Sequence, residues 1–163
     1  MSKQSKPDVV VYSAWYSRGS GHFTLQRTVN GKLEVLFKQL PARSGQAGCP
    51  VEWIPRKSPI PFGTWRLNLD SIKAGRDEHY DGIGEFFPIS SGDNQRILQG
   101  GLPGQVRYDV GLHWENQFPG SWGCVVLVDS TPEEIAQIRA LFKTLRELYD
   151  PDGLKYIPLH VVG

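Results

Sequence analysis

Residues 22–37 read His-Phe-Thr-Leu-Gln-Arg-Thr-Val-Asn-Gly-Lys-Leu-Glu-Val-Leu-Phe. Apolar and polar residues partly alternate on both sides of the central Asn30-Gly31 pair, as in two half-buried strands. Asn and Gly both accept a positive φ, which the two central residues of a tight hairpin turn require. This stretch therefore predicts a β-hairpin, and it favours a fold built largely of strands.

The flanking sequence adds more short strands and long loops. Residues 41–61 are rich in loop formers, and the prolines at positions 50, 55, 59 and 61 cannot sit inside a ladder, so a long connecting loop is predicted. Residues 70–84 carry charges and glycines without a clear period and are predicted to cross the surface. The further predicted strands are 8–16, 63–69, 85–90, 106–113 and 156–162, the last on a sheet edge if Pro158 lies within it.

One strong helix is predicted, from about Thr131 to Tyr149. Thr131 is a capping residue, Pro132 suits the first turn, and Glu134 completes a capping box three residues after Thr131. The apolar stripe fits one helix packed on a sheet; it consists of Ile135, Ile138, Leu141, Phe142, Leu145, Leu148 and Tyr149. Pro151 and Gly153 end the helix.

Composition bounds the class of protein. The 163 residues include 18 Lys plus Arg and 17 Asp plus Glu, so the formal charge is +1. This balance argues against a nucleic-acid or anionic-membrane binder, because both need concentrated positive charge. We expect a polar tail over residues 1–7 and one β-rich α+β domain over residues 8–163.

The sequence carries few signals for export or for cofactor binding. The amino terminus lacks the apolar core of a Sec signal, and no window approaches the roughly 20 apolar residues of a membrane-spanning helix. We therefore expect a soluble chain that does not use Sec export. Four histidines and nearby acids at 77, 78 and 81 lack the spacing of a zinc site, so no metal or organic cofactor is expected. A bridge between Cys49 and Cys124 stays open, although Cys49 more often has no chemical role.

Residues 113–124 can supply the parts of a cysteine nucleophile site. His113 would be the base and Cys124 the nucleophile, while Pro119-Gly120 would reverse the chain between them. Gly123 would let the amides of residues 123 and 124 converge on the oxyanion that forms when a carbonyl is attacked.

Each of these residues also has a simpler interpretation. Cys124 would be a small buried hydrophobe, and His113 a histidine satisfied by backbone at a strand end. Ser121 would line the pocket or bond the loop, and Trp114 and Trp122 would wall the acyl pocket or fill the core. Three further residues are left outside the predicted site. Arg43 and Arg107 could meet a substrate carboxylate through bidentate bonds, but an exposed arginine is usually a solvated surface group. Asp109 lies too far along the strand to orient His113 and is interpreted as structural.

The segment Ser121-Trp122-Gly123-Cys124-Val125-Val126 resembles the active-site element of the YkuD-like L,D-transpeptidase family, in which a histidine precedes Ser-x-Gly-Cys. Residues 57–67 (Lys-Ser-Pro-Ile-Pro-Phe-Gly-Thr-Trp-Arg-Leu) resemble that family's strand entry with two residues inserted. The order of the elements agrees across most of residues 8–163, including a loop that contains Ser44-Gly45.

The resemblance implies a fold, a substrate and a reaction. The fold would be a mixed β-sheet or sandwich with one main C-terminal helix, and the substrate the stem peptide of peptidoglycan. Cys124 would form a thioester at an L-centre and release a D-residue, without a cofactor. Water as acceptor gives an L,D-carboxypeptidase, an amine gives transpeptidation or exchange, and the sequence does not decide between them.

Several positions depart from the family's full-length members. Trp114, Trp122 and Val126 replace residues usual there, and only ten residues (114–123) separate the histidine from the cysteine. The short loop resembles that of compact L,D-transpeptidase-like toxins delivered by type VI secretion. This implies an antibacterial effector that acts in the periplasm or cell wall after non-Sec delivery, with an immunity protein as partner. The alternative is a catalytically inert cell-wall binder, or a structural protein of a phage or secretion machine.

Overall fold

The computed structural model describes residues 7–45, 58–70, 72–73, 85–100, 104–114, 123–149 and 155–163. The predicted polar tail lies outside the described residues except for Pro7. The elements are β1 Val10–Ser17, β2 His22–Val29, β3 Lys32–Ser44, β4 Gly63–Asn68, β5 Ile72–Lys73, β6 Glu85–Ser90, β7 Ile97–Gln99, β8 Val106–Tyr108, β9 Gly111–Trp114, β10 Val125–Leu127, α1 Pro132–Tyr149 and β11 Tyr156–Val162.

Nine strands form one sheet that closes on itself. The strand order is β4-β11-β1-β2-β3-β10-β9-β6-β5, and an additional pairing of β4 with β6 closes eight of the strands into a ring. The β1–β11 and β9–β10 pairs are parallel, and the others are antiparallel. Strands β7 and β8 form a separate two-stranded sheet. The predicted class, β-rich α+β with a mixed sheet and a helix near the C-terminus, is confirmed.

The Asn30-Gly31 hairpin forms as predicted. Asn30 has a φ of 51° and Gly31 a φ of 81°, so both central residues lie in the left-handed region. Strands β2 and β3 then pair from Val29↔Lys32 back to His22↔Pro41. This turn sets the register of the longest strand in the described part of the chain.

Strand β3 is longer than predicted. Residues 41–44, which the sequence places in the long loop, are its last four residues, and they pair with β10 through Val125↔Ser44 and Val126↔Arg43. Pro41 begins this extension at the point where the partner of β3 changes from β2 to β10. The loop prediction is wrong here because the partner strand lies about 80 residues away and leaves no local signal.

The predicted edge position of the last strand is also wrong. Strand β11 lies between β1 and β4 with Pro158 inside it. The Leu69 N–H donates to the Lys155 carbonyl, so hydrogen-bonded pairs fall at every second residue after Lys155 and Pro158↔Arg66 is a non-bonded pair. On the other side, pairing with β1 starts only at Leu159. The missing N–H of the proline therefore removes no bond from the β4 ladder, and the residue lies next to the first pair of the β1 ladder.

Helix α1 covers the inner side of the sheet. Ile138, Phe142 and Leu145 are buried, and Phe142 packs edge-on against Phe87 of β6 with ring centroids 4.8 Å apart. The helix starts with the predicted capping box: the Thr131 N–H donates to Glu134 Oε1 at 2.9 Å, and the Glu134 N–H donates to Thr131 Oγ1 at 3.1 Å. Within the described part of the chain, no helix is long and apolar enough to cross a membrane.

Replacing Thr131 with Ala is expected to lower the free energy of unfolding by about 1 kcal/mol, because an orphan N–H at the helix start loses its acceptor. Thr144→Ala is the matched control, since that exposed hydroxyl only bonds back to the Ala140 carbonyl within the helix and its loss should change stability by less than about 0.5 kcal/mol. Urea unfolding measures both. Equal losses in the two variants would contradict a capping role for Thr131.

Candidate active site

The two faces of strands β6, β9 and β10 have different surroundings. Successive side chains of a strand point to opposite faces. Phe87, Leu112, Trp114, Val125 and Leu127 belong to the main core on the helix side. Phe86, Cys124 and Val126 form a second, smaller apolar cluster on the other face, with Val128 packed against it.

His113 and Cys124 share this second face. Strands β9 and β10 run parallel with His113 opposite Val126, which places Cys124, one residue before β10, opposite Gly111. A strand spacing of about 4.8 Å and a rise of about 3.3 Å per residue then separate the Cα atoms of His113 and Cys124 by roughly 8 Å. The two side chains are diagonal neighbours on one face, within reach of a direct contact.

Phe86 is the common neighbour of the two residues. Its ring stacks on the imidazole of His113 with centroids 6.1 Å apart and an interplanar angle of 22°, and it belongs to the cluster that contains Cys124. Gly111 permits this close approach, since a Cβ there would stand 2.6 Å from the Cε1 atom of Phe86.

One ring nitrogen of His113 is held by the main chain. Nδ1 lies 2.8 Å from the carbonyl oxygen of Trp114, and because a carbonyl only accepts, Nδ1 carries the proton and Nε2 the lone pair. Burial is the main cause that lowers the pKa of His113, and the nearby charge of Arg43 lowers it further. The resting ring is therefore a neutral imidazole with Nε2 as its basic atom.

Cys124 is a buried thiol. Its Sγ donates a hydrogen bond to the carbonyl of Asp109 at 3.8 Å. Burial raises its pKa to about 11, against opposing effects from the main-chain N–H groups of Gly111 and Cys124 and from the charge of Arg107. At neutral pH the thiol is protonated, and the groups that favour its anion already surround the sulfur.

Gly123 makes a turn that other residues would strain. Its φ is 109°, and its carbonyl accepts a hydrogen bond from the Ser44 hydroxyl at 3.1 Å. In a planar trans peptide the next N–H points away from that carbonyl. Ser44 thus fixes the direction of the Cys124 N–H, which points away from strand β3.

The segment 58–60 packs against the same turn. The Ile60 N–H donates to Ser44 Oγ at 2.8 Å, and a Cβ on Gly45 would stand 2.5 Å from the nitrogen of Pro59. Arg107 donates to the carbonyls of Pro59 and Ser58 at 2.7 and 2.8 Å. It is only 6% exposed, so the prediction of a solvated surface group is wrong.

Arg43 lies on the other side of Val126 from His113. The pairs Val126↔Arg43 and Val126↔His113 place the three residues in one row across β3, β10 and β9. Partner residues of neighbouring strands share a face, so the partly exposed Arg43 side chain borders the same surface as His113. Its charge acts on the imidazole, as described above.

Of the two tryptophans considered as walls of the acyl pocket, the structure describes Trp114. Trp114 lies on the helix side, 7% exposed, with its ring edge-on to Phe87 at 6.0 Å and under the guanidinium of Arg139. That placement fits the core-filling interpretation and not the pocket wall. Ser121, Trp122 and Cys49 lie outside the described residues. Asp109 pairs with Arg96 at 3.0 Å.

Sequence reasoning missed the roles of Ser44 and Arg107, and it anticipated a backbone partner for His113 without identifying the carbonyl of Trp114. Ser44 enters the sequence prediction only through its place in the order of elements, and Arg107 carries no motif. A carbonyl has no sequence signal of its own. The run 106–113 predicts one strand, whereas Asp109, with a φ of 54°, breaks it into β8 and β9. Among the described residues, no group of three or more His, Cys, Asp or Glu is placed to hold a metal ion.

The buried thiol predicts a pH-dependent stability. Folding raises the pKa of Cys124 from 9.0 to about 11. The stabilisation from burying the protonated thiol is therefore fully present below pH 9.0 and is lost as the pH rises toward 11. The size of this loss is about 3 kcal/mol. We expect the free energy of unfolding of the wild type to fall by that amount relative to Cys124→Ala over this interval, as measured by urea titration.

Comparing the two proteins at each pH isolates the thiol, because Tyr16, whose pKa is raised by burial, is present in both. A constant difference between the wild type and Cys124→Ala across the interval would contradict a buried, protonated Cys124.

Solved structures show the same fold. The helical cell shape determining protein Pgp2 from Campylobacter jejuni is similar with a TM-score of 0.58 and 15% identity, over 93% of this chain and 47% of that protein. Bd1075 from Bdellovibrio bacteriovorus gives 0.53 and 15%, over 91% and 46%. An L,D-transpeptidase from Mycobacterium tuberculosis H37Rv gives 0.49 and 16%, over 94% and 58%. The chain thus spans about half the length of the first two, and their likeness shows a common fold. No protein-family model and no curated protein sequence matches the chain.

Proposed function

We propose that this protein is a cysteine-dependent L,D-transpeptidase or L,D-carboxypeptidase that acts on peptidoglycan stem peptides through a thioester. The observation that carries the proposal is the placement of Cys124 and His113 on one face of adjacent parallel strands, where Phe86 stacks on His113 and shares an apolar cluster with Cys124. The imidazole is held through Nδ1, which leaves Nε2 as the base.

In the first half-reaction, Nε2 of His113 takes the proton of Cys124 while Sγ attacks the carbonyl of an L-centre. Both groups are neutral at rest, because burial raises the pKa of the thiol to about 11 and lowers that of the imidazole. The proton transfer therefore accompanies the attack instead of preceding it. The negative charge moves from sulfur to the carbonyl oxygen, where the amides of Gly123 and Cys124 are the proposed donors.

Collapse of this tetrahedral intermediate breaks the amide bond. The amine of the departing D-residue takes the proton from His113, and the acyl group stays on sulfur as a thioester. In the second half-reaction, water or an amine gives a proton to Nε2 and attacks the thioester. The Cys124 sulfur leaves and recovers the proton. Water gives a shortened stem peptide, and an amine gives a crosslink or an exchanged residue.

The shared fold supports the substrate class. The name of Pgp2 describes a determinant of helical cell shape, and cell shape in bacteria is a property of the wall. The Ser121-Trp122-Gly123-Cys124 element adds the motif of the family to this fold. Together they favour stem peptides over other amides as the substrate.

Defined disaccharide tetrapeptides and pentapeptides test the proposal directly. Incubation with purified protein followed by mass spectrometry should show loss of a terminal D-residue for a carboxypeptidase, dimers for a transpeptidase, or exchange when a free D-amino acid is added. His113→Gln, which removes the base while keeping a polar side chain, should give none of these products. Unchanged substrates with the wild-type protein in every mixture would refute the proposal.

The burial of Cys124 favours a second candidate, an inert cell-wall binder or structural protein in which the cysteine only packs. Cys124 is 6% exposed and belongs to an apolar cluster. Iodoacetamide labelling followed by peptide mapping discriminates the two. If the protein is an enzyme, iodoacetamide alkylates Cys124 in the folded state, and the rate of alkylation increases as the pH rises toward 11. A packing cysteine reacts only after denaturation.

We also propose an antibacterial effector role, on the basis of the short histidine-to-cysteine loop. Directing the chain to the periplasm of a Gram-negative host with a fused export signal should lyse or deform the cells, and the same chain expressed without that signal should not. Cys124→Ala with the same export signal is the control. An immunity partner should bind the wild-type protein and relieve the growth defect. Normal growth with periplasmic wild-type protein would contradict this role.

A further inference from the structure

The guanidinium of Arg107 is buried beside the candidate nucleophile. The residue lies in β8 and is 6% exposed. Burying a guanidinium costs several kcal/mol unless its donors are satisfied. Here Nη1 donates to the Pro59 carbonyl at 2.7 Å and Nη2 donates to the Ser58 carbonyl at 2.8 Å.

The guanidinium also fills the space that a side chain at position 123 would need. A Cβ built on Gly123 would overlap Nη2 of Arg107 and would stand 2.6 Å from its Cζ. The positive charge is therefore packed against the main chain of the residue that precedes Cys124. Ser44 holds the opposite side of the same turn through the Gly123 carbonyl.

Charged groups on several strands act on the two candidate catalytic residues. Arg107 favours the thiolate and Asp109 opposes it, while Arg96 pairs with the Asp109 carboxylate. Arg43 borders the same face and acts on His113. A guanidinium keeps its proton at any working pH, so Arg107 supplies a fixed charge and takes no part in proton transfer.

We infer that Arg107 is a positioning residue of the proposed site, which ties the 58–60 segment to the Gly123 turn and holds a positive charge beside the Cys124 sulfur. The inference rests on the proposed function. When Sγ gives its proton to His113, negative charge develops first on sulfur and then on the substrate oxygen. In surroundings that exclude water, a fixed cation next to that path stabilises the transition state without reorganising.

The test uses Arg107→Gln and Arg107→Lys in a Cys49→Ser background, so that alkylation reports Cys124 alone. Arg27→Gln is the matched control, because that arginine pairs with Glu34 on the Asn30-Gly31 hairpin. Three quantities are measured: the pH midpoint of alkylation by iodoacetamide, kcat and KM on a tetrapeptide muropeptide, and the midpoint of thermal unfolding.

Arg107→Gln is expected to move the alkylation midpoint to higher pH and to lower kcat by about 10- to 100-fold with little change in KM. Arg107→Lys keeps the charge and should restore the alkylation midpoint and part of kcat. A merely structural arginine would lower the unfolding temperature in both variants and leave the alkylation midpoint where it was. That second result would overturn the inference.

Two outcomes keep this test separate from that of the proposed function. If the wild type gives no muropeptide product but its alkylation midpoint still depends on residue 107, the function fails and the positioning role stands. If the wild type is active and Arg107→Gln matches it in midpoint and kcat, only the inference fails. Should Arg107→Gln not fold, Arg107→Met, which keeps the length of the side chain and removes its charge, is compared with Arg107→Lys: a higher midpoint in Arg107→Met supports the role of the charge, and equal midpoints refute it.

Discussion

Cys124→Ala is expected to reduce muropeptide turnover by at least about a thousandfold, because no other group in the proposed mechanism can carry the acyl intermediate. The fold should survive the change. The thiol is small, and the loss of one buried sulfur should lower the free energy of unfolding by only about 1 kcal/mol at neutral pH. Product formation by mass spectrometry and unfolding by urea measure the two effects separately.

The second cysteine of the chain supplies the matched control. Cys49 is predicted to have no chemical role, so Cys49→Ala should retain full turnover and should still be alkylated at Cys124. Turnover that persists in Cys124→Ala would show that Cys124 only packs against Phe86 and Val126. Turnover lost in Cys49→Ala instead would move the nucleophile to the other cysteine.

The parts of the fold that sequence predicts are those encoded by neighbouring residues. The Asn30-Gly31 turn depends on the φ angles of two adjacent residues, which are 51° and 81°. The Thr131–Glu134 capping box spans four residues. In both cases the interaction that fixes the structure is formed by the same residues that signal it.

The parts that sequence does not predict depend on partners far along the chain. Residues 41–44 continue β3 because β10 pairs with them. Pro158 is tolerated between two strands because its position falls on a non-bonded pair with β4 and before the start of the β1 ladder. Neither partner strand can be identified from the local pattern of polar and apolar residues.

In the candidate site, too, some residues are predicted from the sequence and others are revealed only by the fold. His113, Gly123 and Cys124 are predicted from residue types whose chemistry is visible in the sequence, and the register of β9 and β10 places the histidine and cysteine on one face. Arg107 is mistaken for a surface group because most arginines are solvated, and only the fold reveals its burial against Gly123 and the 58–60 segment. The sequence leaves Trp114 between the pocket wall and the core, and strand alternation turns this residue, the one after His113, toward the core.

Gly123→Ala is expected to lower the free energy of unfolding by more than about 3 kcal/mol and to abolish turnover, because two penalties add. A φ of 109° is strained for any residue with a Cβ, and the added methyl group would overlap the Arg107 guanidinium. Gly31→Ala is the control for strain alone. Its φ is 81° and nothing lies within 4 Å of the added Cβ, so it should cost about 1–2 kcal/mol.

A double-mutant cycle with Arg107→Gly separates the two penalties. The three atoms nearest to the added methyl group all belong to the guanidinium, so without it the cost of Gly123→Ala should fall toward that of Gly31→Ala. The coupling free energy between positions 107 and 123 should then be at least about 1 kcal/mol. Urea unfolding of the four proteins gives this value. Strict additivity would mean that Arg107 moves aside at no cost, and that Gly123 is glycine for the sake of its backbone conformation alone.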